Sequence, residues 1–245
     1  MLNFIFKIHN YASHKLSVIL LETKKNFKKF GRSRRIVSYL KNHEIKKLHI
    51  GCGFNFSEGW LPTDLNPKRN VIFLDAKETF PFSDSSFDYI YCEHMIEHIN
   101  YLDAKKMLSE CNRILKPNGK IRISTPDLDK YLNLIYEPKD NKKIIDFYIN
   151  TLFEGDYPNN LNSPYHILNL EMHSWGHQYL YNQTTLTEQL VTNDFKEVEF
   201  KRTGESNDPH LRNIELHGNN YERVKNDPTQ KSFFEFETMI VEATK

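Results

Sequence analysis

Cysteine is scarce in this chain: there are three in 245 residues, Cys52, Cys92 and Cys111, odd in number and without a CxxC pair. That excludes a disulfide framework and a zinc knuckle, and it fits a reducing, cytoplasmic setting. No apolar run approaches the roughly 20 residues of a membrane span. The N-terminus also lacks a compact apolar stretch followed by small residues, so neither an integral nor an exported protein is expected. Internal repeats and low-complexity tracts are missing as well. Two nucleotide signatures are absent too: there is no GxxxxGK[ST], and the third glycine of a dinucleotide fingerprint is replaced by Phe56, three residues after Gly53. A P-loop nucleotidase and an NAD enzyme are thereby disfavoured.

What is present is enough for one large α/β domain with a real core, 39% of residues being hydrophobic and 27% charged, but not for two full domains. The net charge of +1 hides an asymmetry. Residues 1–50 hold twelve Lys/Arg against Glu22 and Glu44, a net +10, and the remainder carries −9. Residues 1–42 therefore read as a basic helical N-terminal extension, interrupted near Gly31, ahead of a domain over 43–245. Two uses suit such an arm: lying on an anionic membrane or nucleic acid, or packing on the domain with its lysines solvated.

From Lys46 the pattern becomes regular. Strands are predicted at "KKLHI", "WLPTDL", "NVIFLD" and "FDYIYC", then a helix through "LDAKKMLSECNRIL" and a strand at "GKIRIST". Alternation of this kind gives a parallel sheet with helices on its faces. "KPNG" reads as a helix stop and tight turn, and Asp127 as the cap of a helix over "LDKYLNLIY". After an irregular stretch at 151–182, "TTLTEQLVTNDF" reads as a helix. "KEVEFKR" and "FFEFETMIVEA" read as a final antiparallel pair.

Ligands of an open parallel sheet sit beyond the carboxyl ends of its strands. Gly51-Cys52-Gly53 ends the first strand there, and glycine lets a backbone approach a ligand closely. Asp64 ends the second strand and Asp75 the third. A carboxylate in the first position can accept both hydroxyls of a ribose, and one in the second an adenine amino group. Either aspartate alone is also an ordinary cap or turn residue.

Residues 46–127 resemble class I S-adenosylmethionine-dependent methyltransferases. The likeness is carried by "LHIGCGFN", "PTDL", "FLDAKETFPFSDSSFDYIYCEHMIEHI" and "NRILKPNGKIRISTPDL". The resemblance implies a doubly wound, mostly parallel seven-stranded sheet with an antiparallel last strand, and S-adenosylmethionine as cofactor. At matching positions it implies that Gly51, Cys52 and Gly53 pass under the methionine part and that Asp64, followed by Leu65, holds the ribose. Asp75 with Ala76 would meet adenine, and Cys92, Glu93 and His94 would line the methyl-donating end. The chain departs from the family at His49, where an acid that orients the glycine loop is usual, and at Asn55, often a third glycine. Asp64 follows Gly51 by only 13 positions, so the first crossover helix is expected to shrink to about a turn.

Methyl transfer needs an acceptor held at near-attack distance, and an oxygen acceptor benefits from a base. His98, His177 and His94 are the candidates, His94 and His98 sharing a face if their segment is helical. The HxxxH spacing of His94/His98, and again of His173/His177, could suit a metal. Neither pair is HExxH, no third ligand is in view, and no metal is expected. Trp175, Tyr179 and Tyr181 could stack on a sugar or base, or simply pack in the core.

A further likeness, to methyltransferases of surface-sugar gene clusters, covers "MHSWGHQYLYNQTTLTEQLVTNDF" and "GESNDPHLRNIELH". The expected function is therefore methylation of an oxygen on a small molecule, a nucleotide-linked sugar or surface-polysaccharide precursor. Two alternatives stand beside it. One is a non-catalytic protein of the same fold whose arm binds a membrane or partner. The other is an RNA methyltransferase, against which the usual Asn/Asp-Pro-Pro-aromatic motif is replaced by Cys92-Glu93-His94-Met95.

Overall fold

Short apolar runs between glycine, proline and aspartate turns become strands, and those buried on both faces are apolar almost throughout. The structure is a computed structural model that describes Thr23, Asn26 and residues 28–53, 56–68, 70–139, 141–152, 163–215 and 236–245. Its strands are β1 (Lys47–Ile50), β2 (Trp60–Asp64), β3 (Ile72–Phe73), β4 (Phe87–Glu93), β5 (Leu115–Pro126), β6 (Lys196–Lys201) and β7 (Thr238–Thr244). They form one sheet in the order β3-β2-β1-β4-β5-β7-β6. The first five run parallel and β7 is antiparallel to both its neighbours, as the sequence predicts. The switch of direction along the order falls between β1 and β4, so the loops after these two strands open a crevice at the strands' carboxyl ends.

The described helices are α1 (Arg32–Asn42), α2 (Tyr101–Ile114), α3 (Leu128–Tyr136), α4 (Lys142–Leu152), α5 (Pro164–His173) and α6 (Gln183–Val191). Asn100 caps α2 through Asp103 N, Asp127 caps α3 through Asp129 N as expected, and Asn182 with Thr185 forms a capping box on α6. Leu48, Ile50, Ile90 and Cys92 of the sheet pack with Met107 and Leu108 of α2 and with Leu186 and Leu190 of α6 in the main core. Cys111 of α2 is fully buried in the same core. α3, α4 and α5 build a second cluster around Tyr131, Tyr148 and Ile167. α5 makes part of the 151–182 stretch helical, because Ser163 caps it and Pro164 opens its first turn.

Three boundaries differ from the sequence reading. β3 is only two residues long, since a turn from Lys68 O to Val71 N delays its start. β5 starts early, at Leu115, and its pairing jumps from Phe87↔Leu115 to Tyr89↔Lys120, so the predicted KPNG turn is a bulge inside the strand with Asn118 at φ 63°. β7 starts at Thr238, and Phe233 to Glu235 of its predicted start lie outside the described residues.

The reduced first crossover is as expected: among the described residues between β1 and β2 there is no helix, only a turn closed by Trp60 N donating to Ser57 O at 3.3 Å. The sheet face it leaves open carries His49, Trp60 and Tyr91, and Leu211 and Ile214 pack there instead. Their segment is tied down by the buried Arg122, whose Nε donates to Glu215 Oε1 at 2.7 Å and whose Nη1 donates to Glu242.

Of the basic arm, α1 is described, and it packs on the domain. Ile36 and Tyr39 are buried, the Tyr39 hydroxyl accepts from Lys47 N and donates to Gly59 O, each at 2.8 Å, and Arg35 donates to Val71 O at 2.9 Å. Gly31 stands at its N-terminus with φ 72°. Residues 1–22, 24, 25 and 27 lie outside the described residues, and with them much of the 1–42 arm to which the membrane or nucleic-acid use is ascribed. Among the described residues no helix is long and apolar enough to cross a membrane.

Candidate active site

β1 leaves the sheet at Gly51, which has φ 68°. A Cβ there would lie 2.3 Å from Met95 Cγ, so only glycine lets the chain turn over that side chain. The loop is then held by Asp64: Gly53 N donates to Asp64 Oδ2 at 3.0 Å, and Asn66 N to Oδ1 at 2.6 Å. Asp64 thus performs from β2 the loop-orienting task that the missing acid at position 49 leaves open. His49 itself is buried against Tyr91 and Trp60, and burial pushes its pKa down to about 3. Asp75 lies just past β3 and accepts from Lys77 N at 3.1 Å.

These groups face one cavity of about 450 Å³, within the usual range for small-molecule sites. Gly51, Asp64, Leu65, Asp75 and Ala76 line one part of it, and His94, Met95, His98 and Gln178 another. Cys52 and Gly53 belong to the turn beside it but do not line it. Burial, with Asp64 nearby, pushes the Cys52 thiol up to about 12. Cys92 points into the core with its thiol raised well above the usual range by burial, and Glu93, also buried, does not reach the cavity. A second depression of about 550 Å³, between α2 and Thr192 to Asp194, contains none of the sequence-predicted residues.

The histidines depart from the helical expectation. His94 sits at φ 42° and a single 3₁₀ turn spans Ile96–His98, so His94 and His98 do not share an α-helical face. Both nitrogens of His94 are turned to protein groups: Nε2 lies 3.1 Å from Thr238 Oγ1 and Nδ1 lies 3.4 Å from Glu97 Oε1. Burial alone would lower its pKa, but the Glu97 carboxylate outweighs that and raises it to about 9. Glu97 is fully buried, with Oε2 accepting from Thr125 Oγ1 at 3.0 Å.

The loop after α5 folds back onto this turn. Gln178 N and Tyr179 N donate to Glu97 O at 2.7 and 3.2 Å, and Gln178 Nε2 donates to His98 O at 2.8 Å. His177 is thereby brought to His98, their rings 4.8 Å apart edge to face, although it does not itself line the cavity. His177 Nδ1 lies 2.6 Å from Glu171 O, and burial lowers its pKa. Trp175 is exposed beside His177, Tyr179 is half-buried, Tyr181 is in the core, and His173 is exposed at the end of α5. Sequence reasoning passed over Met95, Glu171 and Gln178. The first is marked only by lying near a strand end, and the other two only by closeness to His177.

The sheet order, the antiparallel last strand and the glycine turn define the fold of class I S-adenosylmethionine-dependent methyltransferases. Residues 50–123 match the family model of the methyltransferase domain. An uncharacterized protein of Methanocaldococcus jannaschii is 38% identical over 98 residues, covering 40% of this chain and 46% of its own. A ubiquinone/menaquinone biosynthesis C-methyltransferase of Rickettsia prowazekii is 45% identical over 58 residues, 23% of each chain. Among solved structures, a SAM-dependent methyltransferase from Archaeoglobus fulgidus aligns over 93% of this chain and 99% of its own, at 19% identity and a TM-score of 0.45. The matched part of the chain spans about half the length of the first of these relatives.

S-adenosylmethionine is the cofactor of that class, and the cavity fits it on three counts. Gly51 supplies a stretch of floor without a Cβ, two carboxylates stand at successive strand ends, and Leu65, Leu74 and Ala76 give apolar wall between them.

Proposed function

We propose that this protein is an S-adenosylmethionine-dependent methyltransferase acting on an oxygen of a small molecule, a nucleotide-linked sugar or surface-polysaccharide precursor. The observation that carries the reading is the convergence of Gly51, Asp64 and Asp75 on a single cavity whose other wall holds His98. Bound S-adenosylmethionine supplies a methyl group on a sulfonium, open to in-line displacement. Around it, the Gly51–Gly53 turn carries the methionine part, Asp64 accepts from the ribose hydroxyls with the lone pairs its backbone bonds leave free, and Asp75 with Ala76 meets adenine.

The acceptor enters from the side of His98 and His177, and its proton is lost at that cluster. His94 has no nitrogen to spare for the task, since Thr238 and Glu97 face both. One relative is named a C-methyltransferase, so the choice of oxygen rests on these histidines and not on kinship. The sugar-precursor acceptor rests on the likeness of residues 172–195 and 204–217 to surface-sugar methyltransferases, with the exposed Trp175 as a stacking face. Residues 43–245 form the catalytic domain in this reading, and 1–42 an extension.

Two measurements test it. Isothermal titration of the full chain should show binding of S-adenosylmethionine; none at millimolar cofactor would leave a non-catalytic role. A panel of nucleotide sugars and glycan precursors should then release S-adenosylhomocysteine, with His98→Ala lowering turnover far more than cofactor affinity. Equal activity in that variant would remove His98 from the chemistry.

A further inference from the structure

Glu97, His98 and His177 each offer one ligand atom, and these three atoms lie within 4.8 Å of one another. The geometry points to a binding site for a divalent transition-metal ion of the zinc type, formed by these three side chains at the acceptor end of the cavity. This goes against the expectation of no metal drawn from the HxxxH spacings. The third ligand that sequence could not supply is Glu97, brought in by the 3₁₀ turn. The inference deepens the methyltransferase reading and rests on it for the site's purpose.

Four features favour an ion over a chance cluster. Two imidazoles and one carboxylate are a donor set that borderline cations take while keeping positions open for a further ligand. The Glu171 carbonyl can only accept, so its 2.6 Å contact puts the His177 proton on Nδ1 and leaves the Nε2 lone pair free. A backbone carbonyl in that position is the usual outer partner of a metal-binding histidine. Glu97 is fully buried, and its Oε1 accepts no hydrogen bond from a described residue, being held only by the longer 3.4 Å ion pair with His94 Nδ1, which an ion at this point would have to displace or share. Finally, the loop bearing His177 is clamped to the turn bearing Glu97 and His98 through Gln178 and Tyr179, so the donors are held together without an ion.

Ligand atoms on zinc at about 2.0–2.2 Å sit roughly 3.3 Å apart, so binding asks for about 1.5 Å of contraction at most. Rotation of His98, half-buried and against Gly176, can supply much of it. The remaining coordination positions would face the cavity, where His98 and Gln178 form the wall, and would hold an acceptor hydroxyl in place. On this inference the two histidines would hold the ion and not take the proton themselves: a hydroxyl bound to the ion would be acidified and would lose its proton to water.

The test uses the full chain, stripped with a chelator and titrated with Co²⁺ and then Zn²⁺. One equivalent of Co²⁺ should bind with the visible absorption of a low-coordinate nitrogen/oxygen site, and Zn²⁺ should displace it. His98→Ala and His177→Ala should each weaken binding by about tenfold or more. Affinity for S-adenosylhomocysteine, measured on the same samples, should stay within about twofold, which also shows that the variants are folded. No saturable binding by the wild type, or binding unchanged in both variants, would overturn the metal site. If that happens while S-adenosylhomocysteine still binds, the methyltransferase reading survives. Metal binding without cofactor affinity would remove that reading and leave the ion.

Discussion

His49 should make the fold acid-sensitive in a way that can be separated from every other group. Its ring is 2% exposed, 4.8 Å from Tyr91 and edge-on to Trp60, and its Nε2 has no hydrogen-bond partner among the described residues. Burial pushes its folded pKa down to about 3, against 6.5 in an unfolded chain. The unfolded state therefore binds a proton between those values that the folded state refuses, so stability falls as pH drops from 6.5 and the loss saturates near 3. Each pH unit in that window costs about 1.4 kcal/mol, so the loss by pH 4.5 is on the order of 3 kcal/mol. Glu171 and Glu237, which burial raises to about 8 and about 7, hold protons in the folded state over part of the same window and act with the opposite sign. The readout is therefore a difference. In urea unfolding followed by the fluorescence of buried Trp60, His49→Phe minus wild type should grow by about 1.4 kcal/mol per pH unit from 6.5 down to 4.5. A difference that stays flat over that range would refute the buried, neutral state of His49.

Two further outcomes are expected. Asp64→Ala removes the backbone acceptor for Gly53 and Asn66 together with the proposed ribose contact, and should weaken S-adenosylhomocysteine binding by about 10–100-fold in calorimetry, the scale of one or two charge-assisted hydrogen bonds; affinity within twofold of wild type would contradict the assignment. Glu215→Ala strands Arg122, itself 0% exposed, and should cost about 3–5 kcal/mol in urea unfolding, with faster amide exchange across 204–215; a loss under about 1 kcal/mol would mean that Glu242 alone satisfies the guanidinium.

The sheet was legible because its strands are short, largely apolar runs, and the first three end at or near a residue with its own chemistry: Gly51, Asp64, Asp75. Local pattern sufficed there, since position beyond a parallel strand fixes which residues face the crevice. It failed where tertiary bonds decide the outcome. His94 and His98 have helical spacing, but Glu97 is drawn inward by Thr125 and the chain tightens into a 3₁₀ turn. The partner of Gly53 could not be read either, because the acid that binds it comes from the next strand and not from the position before the loop. Cys92 shows the limit of adjacency in sequence: alternation along the strand turns its side chain to the core and away from the cavity.

The short first crossover, the histidine before the glycine turn and the long connection between the last two strands have one physical explanation. In the order β3-β2-β1-β4-β5, the step from β1 to β2 and the step from β4 to β5 go in opposite directions, so right-handed crossovers place their connections on opposite faces. α2 makes the second connection and covers the face of Leu48 and Ile90. A helix after β1 would have covered the face of His49, Trp60 and Tyr91. With no helix there, that face must be buried by other means, and Leu211 and Ile214 from the β6–β7 connection do so, anchored where Arg122 meets Glu215. An acid at position 49 would then lie beneath an apolar cover next to two aromatic rings. A neutral imidazole is the tolerable choice, and the loop-orienting carboxylate moves to Asp64, whose exposed side can still receive a ribose.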